Sequence, residues 1–180
     1  MHTFLQAIPR NFRAACFPLC ISGCLLGWNG HGFAAEPAVF IGSDNFETTI
    51  LQTNRVGCPT LTSVSTDDAG SGNASLLGHY TFTAGECINL TTLEVSLGFF
   101  TLTAADGATI TGNYAGTAQY TDSTKTSLLY AVSGFITGGT GRFKNLTTGT
   151  VAWLGGATFT SASTATGFDK ILAGDLYLSQ

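Results

Sequence analysis

The sequence predicts an all-β protein of antiparallel strands, and three observations carry that prediction. Apolar and polar residues alternate with a period of two through most of residues 75–180. Turn signatures such as Ala105-Asp106-Gly107 separate the alternating runs. The chain holds 23 glycines and abundant serine and threonine beside a single methionine, a composition suited to strands and tight turns. The most legible stretch is Gly134-Phe135-Ile136-Thr137-Gly138-Gly139-Thr140-Gly141-Arg142-Phe143-Lys144-Asn145-Leu146. An apolar run enters, Gly138, Gly139 and Gly141 interrupt it, Arg142-Phe143 follows, and a second apolar run leaves through Val151-Ala152-Trp153-Leu154. Glycine reaches positive φ without steric cost, so the three glycines read as a tight reversal between two strands, with Phe143 placed to fold back as a plug. A phosphate loop is excluded because Lys144 follows Phe143 and precedes Asn145. A dinucleotide fingerprint is excluded because Lys144 stands where glycine or alanine is required.

The Gly-Gly-Thr-Gly-x-Phe corner at Gly138 to Phe143 resembles the signature of the allene oxide cyclase and dirigent barrels and of secreted bacterial proteins similar to them. The resemblance runs over roughly residues 75–180, with its specific part at residues 130–150. It implies an eight-stranded antiparallel β-barrel of the calycin type in which this corner closes one hairpin. It also implies trimers, and a chamber that steers cyclisation or coupling of a reactive apolar intermediate without a cofactor. In dirigent barrels, cavity aspartates act as acids toward a quinone methide. Outside the corner, no local motif aligns an acid of this chain with them.

Residues 1–35 read as a cleaved export signal. Arg10 and Arg13 give a positive start, residues 14–28 an apolar centre, and Gly32-Phe33-Ala34 a small-residue exit before Glu36-Pro37. Pro18, Ser22 and interspersed glycines interrupt a run already too short to span a bilayer. Ile21-Ser22-Gly23-Cys24 offers an alternative, a lipobox in which Cys24 becomes the lipidated first residue, although Leu25 to Trp28 continue the apolar run where a polar tether is usual. The chain is therefore expected in the secreted or periplasmic space. Removal leaves Arg55, Lys125, Arg142, Lys144 and Lys170 against eleven acids, a balance of about −6, which argues against nucleic acid or an anionic membrane surface as partner. Cys16, Cys20 and Cys24 fall in the signal, so Cys58 and Cys87 remain and are expected to pair in an oxidising compartment.

Residues 36–74 read as an N-terminal arm with the first strands, and residues 75–180 as the main part of a single barrel domain. In the arm, Val39-Phe40-Ile41 and Thr48-Thr49-Ile50-Leu51 are short apolar pieces, Cys58 to Val64 offers another strand, and Asp67-Asp68-Ala69-Gly70-Ser71-Gly72-Asn73 reads as an exposed loop. Strands follow from Ser75, from Thr92 and from Ala108, the last alternating Ile110, Gly112, Tyr114, Gly116, Ala118 and Tyr120 against polar neighbours. The run from Leu128 to Thr137 is apolar on both faces, which calls for side chains inside and either an oligomer contact or a covering arm outside. Beyond the corner, Gly155-Gly156 is expected to kink a strand, residues 161–166 to form a loop, and residues 170–179 to form a last strand that closes the sheet.

Candidate chemistry is sparse. His79 is the single histidine outside the signal and has no flanking acid to orient it, and no Gly-x-Ser-x-Gly elbow exists. No catalytic, cofactor-binding or metal residue is assigned. Tyr80, Tyr114, Tyr130 and Trp153 read either as core aromatics or as the lining of a small apolar cavity whose hydroxyls orient a ligand. Glu86, Glu94, Asp106 and Asp122 fall at strand ends or turns, and Asp106 is read as turn chemistry. Three Asn-x-Ser/Thr sequons, at Asn73, Asn89 and Asn145, are expected by chance in so threonine-rich a chain. The expectation is a binding or structural module with a filled cavity or a small apolar ligand. The alternatives are a cofactor-free cyclase or dirigent-like protein, and a surface or matrix protein that associates through its outer faces.

Overall fold

The computed structural model describes residues 37–51, 58–60 and 62–178. The export-signal reading and Cys24 lie outside the described residues. The alternating sequence folds into strands β1 (Ala38–Val39), β2 (Gly42–Leu51), β3 (Ser63–Ala74), β4 (Gly78–Asn89), β5 (Glu94–Ala104), β6 (Thr109–Tyr120), β7 (Ser127–Gly139), β8 (Leu146–Phe159) and β9 (Thr164–Leu178). Neighbours in sequence pair antiparallel from β2 through to β9, and β9 pairs in turn with β2, so eight staves close an antiparallel barrel. The two-residue β1 pairs with β9 just beyond β2 and continues that stave past Phe40. Among the described residues closure leaves no long unpaired edge, the feature that invites edge-to-edge aggregation. Among the described residues no helix is long and apolar enough to cross a membrane.

The period-two pattern sorts side chains cleanly. On β6, Ile110 and Gly112 are buried and the inward phase continues through Tyr114 to Tyr120, while Asn113, Ala115, Thr117 and Gln119 are exposed. On β7, Leu128, Val132 and Ile136 are buried, whereas Leu129 and Phe135 stand exposed on the outside with Phe135 69% accessible.

At one end of the barrel the interior is filled by Phe40, Tyr80, Ile110, Val151 and Leu176, all nearly inaccessible. The glycine corner caps this end. It is a single turn of 3-10 helix, Gly141–Phe143, between β7 and β8, and Phe143 is buried in the core. Of the three corner glycines only Gly141 has positive φ, at 59°. Gly139 lies against Phe143, where a Cβ would stand 2.8 Å from the Phe143 side chain, and a Cβ at Gly138 would make only an ordinary contact with Thr111, so the reversal needs one left-handed glycine rather than three. Arg142 pairs with Asp106 and donates to the carbonyls of Leu76 and Leu77 at 3.0 and 3.2 Å, tying three turns together. At the opposite end, Cys58 and Cys87 form a disulfide that pins the β2–β3 connection to β4.

Three expectations are corrected. Residues 67–73 are not a loop but the middle of β3, paired on both sides. Their glycines allow close packing rather than flexibility: at Gly72 a Cβ would collide with Asp44 and the Ser43 carbonyl. The register shifts of β8 against β9 fall between Leu146 and Thr148 and between Ala152 and Trp153, not at Gly155-Gly156. The last strand starts at Thr164, because the connection after β8 is a short turn rather than a loop reaching residue 166.

Candidate functional site

From the plugged end toward the disulfide end the interior opens into a cavity of about 680 Å³. Its wall is aromatic and aliphatic, with Phe46, Phe82, Phe100, Tyr114, Tyr130 and Trp153 among the lining residues. Phe100 and Trp153 meet edge to face at 5.0 Å, and Tyr114 meets Trp153 the same way at 5.9 Å. Such contacts hold the wall rigid without filling the chamber.

Four carboxyl groups interrupt this apolar wall: Asp44 on β2, Asp68 on β3, Glu86 on β4 and Asp169 on β9. Strand phase puts them there. Asp44 shares the inward face of β2 with Phe46 and Thr48, and Asp169 that of β9 with Ala165. The register brings them together, since Asp44 faces Asp169 directly across β2 and β9, Thr48 faces Asp68 across β2 and β3, and Thr66 faces Glu86 across β3 and β4. Tyrosine hydroxyls serve three of the acids: Tyr80 donates to Asp44 at 2.5 Å, Tyr114 to Glu86 at 2.5 Å, and Tyr130 to Asp169. Thr48 and Thr66 donate to the two oxygens of Asp68. Gly155 makes room for one of these pairs, because a Cβ there would strike both the Tyr130 hydroxyl and the Asp169 carboxyl.

The acids also meet one another. Asp44 faces Asp169 across β2 and β9, and its charge acts on Asp169, as the charge of Glu86 acts on Asp68. Like charges this close in an apolar chamber disfavour full ionisation, so Asp44, Asp169 and Asp68 keep a proton to higher pH than a surface carboxyl does. Burial accordingly pushes Asp44 up to about 6, against the lowering pull of the Tyr80 hydroxyl. Burial, then the charge of Asp44, pushes Asp169 up to about 7. Burial, then the charge of Glu86, pushes Asp68 up to about 9. All three tyrosines are raised well beyond their ordinary value by burial and then by a neighbouring carboxylate, so they remain donors. Asp44 is only 6% exposed, and no donor among the described residues serves its Oδ1. Among the described residues lining the chamber, Lys125 is the single cation, and it sits at the rim with Nζ 5.5 Å from the Tyr120 ring centre.

Tyr114, Tyr130 and Trp153 lie on the cavity wall, while Tyr80 is buried toward the plugged end and contributes through its bond to Asp44. His79 and Glu94 are exposed. Asp106 caps the Ala108 amide and binds Arg142, and Asp122 clamps the β6–β7 turn through Thr124, Thr126 and Ser127. Sequence reasoning missed Asp44, Asp68 and Asp169, and took Glu86 for a strand end because β4 bulges at Gly85 rather than stopping. The signal that could have found them is an acid in phase with inward apolar residues, as Asp44 is with Phe46. Among the described residues, no group of three or more His, Cys, Asp or Glu side chains is placed to hold a metal ion. Comparison with protein-family models, with curated proteins and with solved structures finds no match for this chain.

Proposed function

We propose that the protein is a binding barrel that encloses one small, largely apolar molecule and sets the polar group of that molecule against the acid and tyrosine cluster. The observation that carries this reading is the cavity of about 680 Å³, apolar over most of its wall and polar at a few convergent groups. That volume and character are those of a small-molecule site, and eight staves give an interior wide enough for one such ligand. The disulfide suits an exported chain, secreted or periplasmic, or held at a membrane through a lipid on Cys24. Titration with the neutral apolar dye Nile red tests the reading. Saturable 1:1 binding is expected, and Ala157→Trp, which fills the chamber from β8, should abolish it; binding that never saturates, or that the filled variant retains, contradicts it.

A second reading is favoured by the protons that the chamber acids retain. An acid held neutral in an apolar chamber can protonate a reactive intermediate as it cyclises or couples, the chemistry of the allene oxide cyclase and dirigent barrels that the glycine corner resembles. Asp169 and Asp68, protonated into the neutral range, would be the donors.

A further inference from the structure

We propose that the polar group of the ligand is a cation: the chamber takes an apolar molecule bearing one protonated amine, seated between Asp44 and Asp169. The inference rests on the binding reading above and assigns the class of ligand. Four carboxyl groups on four adjacent staves, β9, β2, β3 and β4, face one chamber. Among its described lining residues the single cation is Lys125, out at the rim. Apart from tyrosine and threonine hydroxyls, the cluster has no positive partner among the described lining residues, a role that a bound cation fills.

Independently of that charge imbalance, Asp44 is more than nine-tenths buried, lines the chamber, and has Oδ1 without a donor among the described residues. A buried acceptor left unserved is costly, and it marks a position awaiting a donor. An ammonium group is all donor, three N–H bonds and no lone pair, so it complements a cluster of acceptors. A neutral hydroxyl brings a single donor and no charge to a cluster of acceptors, and an anionic group would be repelled. The wall supplies the rest of the fit, with the apolar body of the ligand against Phe100 and Trp153 and the cation near the rings of Phe46 and Tyr130, which pack together at 6.3 Å on the acid side.

Seating an ammonium there requires the proton held by the Asp44 and Asp169 pair to leave. Binding is therefore linked to proton release, and affinity rises with pH while that pair is still protonated. The titratable and charged groups around the seat are Asp44 on β2, Asp68 on β3, Tyr80 and Glu86 on β4, Tyr114 and Tyr120 on β6, Tyr130 on β7, Asp169 on β9, and Lys125 at the rim. The chamber faces of β5 and β8 contribute none.

Isothermal titration of the protein with 1-naphthylmethylamine and with the equally sized 1-naphthalenemethanol, from pH 5 to pH 8, tests the inference. The amine should bind at least about tenfold more tightly at pH 7.5, and its affinity should rise by up to about tenfold per pH unit between pH 5 and pH 7, then level off, while the alcohol stays flat. Asp44→Asn should erase the preference for the amine over the alcohol. Where that variant does not fold, the pH series on the unaltered protein decides alone. Equal binding of the two probes, a flat pH profile for the amine, or a folded Asp44→Asn that keeps the preference overturns the amine assignment and leaves the barrel a binder of neutral molecules. Failure of both probes to bind at any pH overturns the binding reading and the amine assignment together.

Discussion

The two halves of the barrel are built from the same alternating strands, yet they do opposite things with their interiors. Toward the glycine corner, the inward positions carry Phe40, Ile110, Val151 and Leu176, packed to near-zero exposure, and Arg142 and Phe143 seal the end. Toward the disulfide, inward positions of β2, β3, β4 and β9 carry Asp44, Asp68, Glu86 and Asp169 around an open chamber. The plugged half gains stability from close packing. The open half gives it up, burying carboxyl groups that fold well only with a proton or a partner. The contrast teaches that in a closed barrel the strand pattern sets which residues face inward, whereas residue choice at those positions sets whether the inside is core or site.

The largest effect is expected where the packed half is broken. Phe143→Ala removes the plug and should cost about 3–5 kcal/mol, read as a fall in the urea midpoint without a change in slope. A loss below about 1 kcal/mol would show that the corner does not anchor the packed half.

The next effect comes from the open half and has the opposite sign. Asp44, Asp68 and Asp169 all bind protons more tightly folded than unfolded. The native state therefore holds more protons between about pH 4 and pH 9, and stability should fall as pH rises through that window. Asp68→Asn, which removes the group raised to about 9, should increase the melting temperature at pH 8 by roughly 5 °C or more and by much less at pH 4. Equal shifts at the two pH values would mean that Asp68 is not the buried acid described.

A smaller effect is expected at the staple of the plugged end. Arg142 is partly exposed, so its pairing with Asp106 is screened, and the two backbone carbonyls it serves matter more. Arg142→Ala should lower the melting temperature by roughly 2–4 °C, and Asp106→Asn by less. If Asp106→Asn costs as much as Arg142→Ala, the ion pair rather than the carbonyls holds the three turns.

The same contrast explains what could be read from the chain. The packed half announces itself in sequence, because apolar alternation on β6 and β7 and the run of corner glycines are local signals. The disulfide follows from two cysteines left in a chain expected to be exported. The site is harder to see. Asp68 sits among Asp67, Gly70, Ser71, Gly72 and Asn73, a composition that favours a loop in isolation, and it is held in a strand by pairing with β2 and β4 on either side. Asp44 and Asp169 lie 125 positions apart and become a pair only when β9 closes onto β2. A lone acid on an inward phase is a local signal, but its partner is a product of closure. Gly155 is legible as a break in β8 and turns out to be space for the Tyr130 and Asp169 pair.

The account depends most on the acids of the open half being buried in an apolar chamber and keeping protons to higher pH than surface carboxyls do. Following their side-chain carboxyl carbons by NMR from pH 3 to pH 10 measures this directly. The account predicts that Asp44, Asp169 and Asp68 titrate near 6, 7 and 9, with Asp44 and Asp169 moving together as a coupled pair. Independent titration of all three near pH 4 would contradict it, because it would mean that water fills the chamber and that these carboxyls behave as surface groups.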